Sequence, residues 1–107
     1  MQIFHGHIYF SEDEIELAAK VRENISKTIP QLTYIGRLIA KPIGPHTKPM
    51  FEIHIPATEI DAITAIIDEM REGLSVLIHP VKEDELKAHT EDAKWLGQKL
   101  PLDLQAL

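Results

Sequence analysis

Residues 3–10 alternate between apolar and polar side chains in the manner of a β-strand. The face that would point into a core carries three apolar side chains: Phe4, Ile8 and Phe10. The opposite face carries three side chains that can bind a metal or transfer a proton: His5, His7 and Tyr9. The first element is therefore predicted to be a strand with candidate chemistry on its outer face.

Two later segments have apolar residues at the three-to-four spacing that is typical of amphipathic helices. The first helix is predicted over residues 12–28, because Ser11 and Glu14 can form a capping box at its start. Its buried stripe has four members: Ile15, Ala18, Val21 and Ile25. The second helix is expected between Thr58 as N-cap and Gly73 as C-cap. Its inward residues are Ile60, Ile63, Ile67 and Met70.

Three more strands are predicted from alternation, at residues 32–39, 50–55 and 74–79. In the last of them, Val76 and Ile78 point to the core. Residues 40–49 hold three prolines and a glycine, a composition that predicts a loop rather than a helix or strand. Because loops of this length in small domains are often functional, His46 within it is a candidate site residue.

The C-terminal part is predicted to add a short helix and an extended tail. A helix over residues 83–95 would bury Leu86 and Ala93, and His89 lies on the same inward stripe. A polar residue there needs a partner, since burying it alone is costly. The tail from residue 97 to 107 carries apolar side chains that should pack on the domain: Leu100, Leu102, Leu104 and Leu107.

The predicted element order, β-α-β-β-α-β, is that of a ferredoxin-like α+β domain. Right-handed crossovers then give an antiparallel sheet with strand order 4-1-3-2, with the added C-terminal helix and extended tail. Both main helices would cover one face of the sheet and leave the other face open. A length of 107 residues fits a single domain over residues 1–107.

Composition narrows the classes of function. The chain has no cysteine, so any transition-metal site must use histidines and carboxylates. The net charge of -6 and the absence of a basic run argue against a nucleic-acid partner. Neither a membrane-spanning apolar run nor a signal peptide is visible, so we expect a cytoplasmic protein without a membrane partner.

Strand parity gathers most of the six histidines on the open face. Antiparallel register counted from the strand midpoints sets Glu52 near His7, and both His54 and His79 near His5. His46 in the loop and His89 on the last helix can reach the same face. This clustering indicates a metal site or an acid–base site, whereas a lone histidine would more simply be structural.

Several short motifs, in order and spacing, resemble one known family over nearly the whole chain. They are His7-Ile8-Tyr9-Phe10, Gly44-Pro45-His46, Pro49-Met50-Phe51-Glu52-Ile53, Ser75-Val76-Leu77-Ile78-His79-Pro80, His89, Trp95-Leu96-Gly97 and Leu100-Pro101-Leu102-Asp103-Leu104. Together they resemble the fungal-type DOPA 4,5-dioxygenase family and its bacterial relatives. This family is distinct from the plant DOPA dioxygenases, which have another fold.

The resemblance implies an extradiol ring-cleaving dioxygenase that uses non-haem Fe(II) and O2 on a small, L-DOPA-like catechol. Zinc or another divalent metal can occupy such a site in a purified sample. The family's histidines match His7, His46, His79 and His89, whereas His5 and His54 lie outside the pattern. The metal site is then either all-histidine or completed by Glu52.

The same resemblance suggests roles for the remaining residues. His89 is the candidate acid–base residue, because it lies on a different element from His7 and His79. Tyr9 and Arg37 are candidates for orienting the substrate, against the alternatives of ordinary packing for Tyr9 and a solvated strand edge for Arg37.

Two other functions are compatible with the sequence. The chain could be a metal-binding relative with a different reaction or none, because function resides in the site and not in the fold. It could also be a dimeric ferredoxin-like binding module that uses the open face as an interface. An uncovered sheet face and a leucine-rich tail predict a homodimer in either case.

Overall fold

The structure, a computed structural model, describes residues 2–107, so residue 1 of the predicted domain lies outside the described residues. Its frame is one antiparallel sheet of five strands: β1 (Ile3–Tyr9), β2 (Tyr34–Ile35), β3 (Met50–Pro56), β4 (Val76–Pro80) and β5 (Lys94–Leu96). The strand order is β2-β3-β1-β4-β5. The predicted four-strand order 4-1-3-2 is therefore incomplete, because a fifth strand extends the sheet beyond β4.

Three helices accompany the sheet: α1 (Ile15–Thr28), α2 (Ile60–Met70) and α3 (Glu85–His89). The mixed α/β arrangement is consistent with the predicted ferredoxin-like fold. A 3-10 turn at Glu12–Glu14 leads into α1, and there the Ser11 backbone N–H donates to Glu14 Oε1 at 2.8 Å, as the capping box requires. Across the described residues, no helix is long and apolar enough to cross a membrane.

The second helix begins and ends differently from its sequence signals. A 3-10 turn at Ala57–Glu59 precedes α2, and Thr58 lies inside this turn, so its predicted N-cap role is wrong. The C-cap of α2 is Arg71, so the predicted C-cap role of Gly73 is also wrong. Gly73 lies two residues further on with a φ of +86°, a conformation that favours glycine.

The third helix is much shorter than the predicted span of residues 83–95. It ends at His89, where the Thr90 hydroxyl donates to the Leu86 carbonyl at 2.6 Å. The chain then turns, and β5 pairs with β4 through Leu77 opposite Trp95. This pairing satisfies the backbone of the β4 edge, which a longer helix would leave open. Leu86, predicted to be buried, is 52% exposed.

Two hydrophobic clusters lie on opposite faces of the sheet. The larger lies between the sheet and the helices α1 and α2, and includes Ile8, Phe51 and Ile78. The smaller lies on the other face, where Tyr9, Met50 and Leu77 are covered by partly buried residues: Ile39, Ala93, Trp95, Leu100 and Leu102. Leu100 and Leu102 of the tail thus pack on the domain as predicted, whereas Leu104 is 42% exposed. Part of the face predicted to be open is therefore covered. This covering leaves less exposed apolar area than the homodimer prediction assumed. The homodimer therefore stays a prediction.

Gly6 allows the two histidines of β1 to stand on one face while the core closes on the other. It pairs with Ile53 on β3 and Ile78 on β4. A Cβ at Gly6 would lie 2.9 Å from Ile53 Cγ1, which is closer than side chains pack. The absence of a side chain at this position therefore lets β1 lie tightly over the core.

Substituting Gly6→Ala should overpack this contact and lower the free energy of unfolding by about 1–3 kcal/mol. Urea unfolding followed by circular dichroism measures the change. The control is Ser26→Ala on the exposed side of α1, which should stay within about 0.5 kcal/mol of the parent. If Gly6→Ala is as stable as the parent, Ile53 moves aside without a cost in free energy.

Candidate metal site

The antiparallel register of β1 brings five polar side chains, from β1 and its two neighbouring strands, to one face of the sheet. His5 lies opposite His54 on β3 and opposite His79 on β4, and His7 lies opposite Glu52 on β3. The predicted register is confirmed at each of these pairs. Because cross-strand neighbours are about 5 Å apart, these side chains share one surface.

One close contact on this surface joins His7 and His79. Their Nε2 atoms are 3.0 Å apart, and their rings stack with centroids 5.1 Å apart and an interplanar angle of 13°. Both side chains are buried, at 2% and 5% exposure. Two imidazole nitrogens thus converge on one point inside the protein, and convergence of this kind is what a metal requires from its ligands.

The hydrogen bonds of His79 determine where the protons of both rings lie. His79 Nδ1 is 2.9 Å from the Pro80 carbonyl, which can only accept, so this nitrogen carries the proton. In the neutral ring, His79 Nε2 must then accept from the Nε2–H of His7. His7 Nδ1 is left as a buried acceptor without a hydrogen-bond donor, 3.7 Å from Glu52 Oε1. A nitrogen lone pair that faces a carboxylate is unfavourable, so this arrangement favours a cation bound between the two Nε2 atoms.

His46 is brought to the site by contacts between the proline-rich loop and the C-terminal tail. Its backbone forms an isolated bridge with Leu102, and the Thr47 hydroxyl donates to the Pro101 carbonyl at 2.7 Å. Gly44, with a φ of +58°, allows the tight turn before His46. The His46 ring lies 4.1 Å from that of His7, centroid to centroid.

The Tyr9 side chain contacts His46 and does not face the cavity. Its hydroxyl is 2.7 Å from His46 Nδ1, and the side chain is 1% exposed. Burial raises the pKa of Tyr9, so the hydroxyl keeps its proton. The Tyr9 ring stacks on Trp95 of β5, with centroids 5.8 Å apart. Tyr9 therefore positions His46, whose Nε2 is left for another partner.

His89 faces the same cluster from the end of α3, as its place on the inward stripe predicts. Its Nδ1–H donates to the Glu85 carbonyl at 2.7 Å, which leaves Nε2 as an acceptor in the neutral ring. The ring centroid lies 4.0 Å from that of His79 and 6.5 Å from that of His46. The side chain is buried, with 7% exposure.

A cavity of about 220 Å³ opens among these side chains. Its polar lining consists mainly of five histidines and one carboxylate: His5, His7, His46, His79, His89 and Glu52. Ala106 and Leu107 of the tail and Ala88 of α3 add apolar wall. A cavity of about 150 Å³ is enough for a benzene ring. The cavity is therefore large enough for one aromatic ring with small substituents.

Burial keeps His7, His46 and His79 uncharged near neutral pH. Desolvation lowers the pKa of His46 and that of His79 to about 4, with further lowering from neighbouring histidines. Desolvation also lowers the pKa of His7 well below its usual value, and His46 and His79 add to this. A neutral imidazole is the form that binds metals, so the cluster is prepared for a cation.

Two sets of three donors lie within reach of a single ion in the described part of the chain. In each set the donor atoms are within 4.8 Å of one another: His5, His7 and His79, and separately His5, Glu52 and His54. Of the predicted ligands, His7 and His79 therefore converge directly, whereas His46 joins them through ring contact with His7. Glu52 turns toward His5 and His54. The contribution of His5, set aside by the family resemblance, was visible in the sequence as its two-residue spacing from His7.

Arg37, predicted to orient a substrate, lies elsewhere. It is exposed and lines a groove on the α1 side of the sheet together with Arg22 and Glu23. Arg22 Nε donates to the Gly36 carbonyl at 2.6 Å, which holds this segment against α1 after only two residues of β2. The structure does not bring Arg37 to the histidine cavity.

The lowered pKa values predict how the stability of the metal-free protein depends on pH. In the unfolded chain His7, His46 and His79 bind protons near pH 6.5, whereas in the folded protein they bind them only near pH 4 or well below 6.5. The free energy of unfolding should thus fall as pH drops from about 6.5 toward 4, by up to about 1.4 kcal/mol per pH unit for each histidine.

Urea unfolding of metal-free protein between pH 7.5 and pH 5 measures this slope, in a range above most carboxylate titrations. The variant His79→Gln should show a shallower slope, since it has one fewer neutral buried histidine. A parent protein equally stable at both pH values would contradict the burial of neutral imidazoles.

Comparison with known proteins places this site in a family. The model of the Dopa 4,5-dioxygenase family matches residues 4–106. An "uncharacterized 21.2 kDa protein" of Botryotinia fuckeliana is 37% identical over 94% of this chain, and the DOPA 4,5-dioxygenase of Amanita muscaria is 28% identical over 97%. The chain spans only 61% and 49% of the lengths of these two relatives.

A crystal structure from Nostoc punctiforme PCC 73102, described as a "putative dioxygenase", has the same fold. It superposes with a TM-score of 0.91 and 33% sequence identity, over 99% of this chain and 90% of that one. The family match extends over nearly the whole chain and includes every residue of the histidine cluster. This chain therefore belongs to the Dopa 4,5-dioxygenase family.

Proposed function

We propose that this protein is a non-haem Fe(II)-dependent extradiol dioxygenase that opens the ring of a small catechol beside its two hydroxyl groups. Membership of the Dopa 4,5-dioxygenase family supports a dioxygenase. The name of the Amanita muscaria relative suggests an L-DOPA-like substrate. The observation that carries the proposal is the convergence of His7 Nε2 and His79 Nε2 beside a cavity lined by His46 and His89.

The separation of the two Nε2 atoms fits adjacent positions on a six-coordinate metal. Metal–nitrogen bonds are about 2.1 Å long, so two ligands at a right angle are about 3.0 Å apart. The distance between His7 Nε2 and His79 Nε2 is 3.0 Å. Two Nδ1 contacts suit such ligands, because the Pro80 carbonyl orients His79 and the Tyr9 hydroxyl orients His46.

The buried Nδ1 of His7 supports the same assignment. When His7 Nε2 binds a metal, the ring proton of the neutral imidazole must lie on Nδ1, where it points toward Glu52 Oε1 at 3.7 Å. The contact between a lone pair and a carboxylate is then replaced by a favourable one between an N–H and a carboxylate. We therefore assign His7, His46 and His79 as ligands, and Glu52 as the residue that orients His7, which is the all-histidine form of the site.

Bound Fe(II) would supply a Lewis acid that lowers the pKa of the catechol hydroxyls, and would mediate the transfer of electrons from the catechol, which is the group oxidised, to O2. The protein's own part is to hold a single aromatic ring in a cavity of about 220 Å³ and to move protons. His89 is suited to the second task, because its Nδ1–H is fixed on Glu85 and its Nε2 is free to accept a catechol proton and return it.

A metal-binding relative with a different reaction is the second candidate. It rests on the family match and on the convergence of His7 and His79, and takes no substrate from the name of the Amanita muscaria enzyme, of which the chain spans 49%. The same metal site would then act on another substrate. The experiments below distinguish the two functions.

Reconstitution with Fe(II) under argon, followed by L-DOPA or caffeate and then air, should give O2 uptake and a yellow ring-opened product. His7→Ala should remain folded but lose both the metal and the reaction, because it removes one of the two converging nitrogens. Oxygen consumption, absorbance and metal analysis measure these results. Bound iron without O2 uptake on any catechol would favour the second candidate, and full activity without metal would contradict both.

His89→Gln should keep the metal and the fold but lower turnover by about 10²–10⁴-fold, the usual contribution of an acid–base group. The matched control is Lys87→Gln, on the exposed side of the same helix, which should leave turnover unchanged. Turnover is measured together with metal content. Loss of the metal in His89→Gln would make His89 a ligand, and normal turnover would make it structural.

A further inference from the structure

A second set of metal donors lies on the same sheet face, on the neighbouring strands β1 and β3. His54 Nε2 is 2.6 Å from Glu52 Oε2, and His5 Nδ1 is 4.0 Å from the same oxygen. The rings of His5 and His54 stack, with centroids 4.0 Å apart and an interplanar angle of 10°. None of these three residues is among the ligands assigned above.

The charge of this group is not balanced. Among residues 2–107, the ion-pair contacts of Glu52 are all to histidines: His5, His7 and His54. The Glu52 side chain is only 29% exposed. A half-buried carboxylate among imidazoles lacks a permanent positive partner such as lysine or arginine, and a cation would supply it.

The separation of the donors fits one cation. One donor atom from each of His5, Glu52 and His54 lies within 4.8 Å of the other two. Donors on a metal with bonds of about 2.1 Å are about 3.0–4.2 Å apart, so small side-chain rotations close the set. The hydrogen bond between His54 and Glu52 would give way to two metal bonds. The three side chains are partly exposed, which leaves a path for the ion and room for water ligands.

We propose that His5, Glu52 and His54 form a second divalent-cation site, separate from the His7, His46 and His79 site. Two imidazoles and one carboxylate are the donor set of borderline cations such as Zn(II), whereas Mg(II) and Ca(II) prefer oxygen donors only. Glu52 lies between the two sites, since Oε2 faces His54 and Oε1 faces His7. The inference goes beyond the proposed reaction, which needs only the first site.

The test is the stoichiometry of Zn(II) bound to metal-free protein after dialysis against low micromolar Zn(II), measured by elemental analysis. The parent should bind two equivalents per chain. His54→Gln and His5→Gln should each bind one, and the double variant should also bind one, because the two residues serve the same ion. Circular dichroism confirms that each variant is folded.

Two further variants separate this inference from the proposed function. Tyr34→Phe keeps the ring that lies 4.6 Å from His54 and should still bind two equivalents. His79→Gln should bind one, and the additional change His54→Gln should reduce binding to none. A parent stoichiometry of one, or two equivalents retained in His54→Gln, would overturn the second site. Two equivalents retained in His79→Gln would instead contradict the first site and leave the second standing.

Discussion

The antiparallel register of β1 between β3 and β4 is the constraint on which the rest of the site depends. It sets His7 beside Glu52 on one side and allows His7 Nε2 to meet His79 Nε2 on the other. Because side chains alternate along a strand, a slip of one residue would turn His5 and His7 into the core. Gly6 between them strengthens the register, because Ile53 occupies the space that a side chain at Gly6 would need. Core packing and site geometry are therefore specified by the same residues.

Burial gives the cluster its chemical character. Imidazoles that are exposed would be partly protonated near pH 6.5, whereas His46 and His79 have pKa values of about 4. Their neutrality depends on the loop and the tail, which exclude water through the contact of His46 with Leu102 and of Thr47 with Pro101. The same contacts fix the Tyr9 hydroxyl against His46. A small domain without cysteine can in this way bury a histidine cluster by adding a loop and a tail to the strands of its sheet.

The position of a residue could be predicted from the sequence when its partners are close in the chain or lie on an adjacent strand. Positions that depend on other contacts could not be predicted. Alternation alone placed His5 and His7 on one face, and register counting found Glu52 and His79. The position of Arg37 was wrong, because the hydrogen bond from Arg22 to Gly36 ends β2 early and has no local signal. The predicted span of the third helix was wrong, because Trp95 pairs with Leu77 on β4. The helical spacing of apolar residues gives no information about such a long-range partner.

The early end of α3 has a consequence for His89. A helix continued to residue 95 would carry its C-terminal carbonyls away from the sheet, whereas the observed turn brings the chain back as β5 beside β4. Trp95 then stacks on Tyr9, which bonds to His46, while α3 sets His89 against His79. The short strand β5 thus supports His46 and His89, the two histidines that lie outside the sheet. Because His89 Nδ1 donates to the Glu85 carbonyl of its own helix, its Nε2 is left without a protein partner on the side of the cavity.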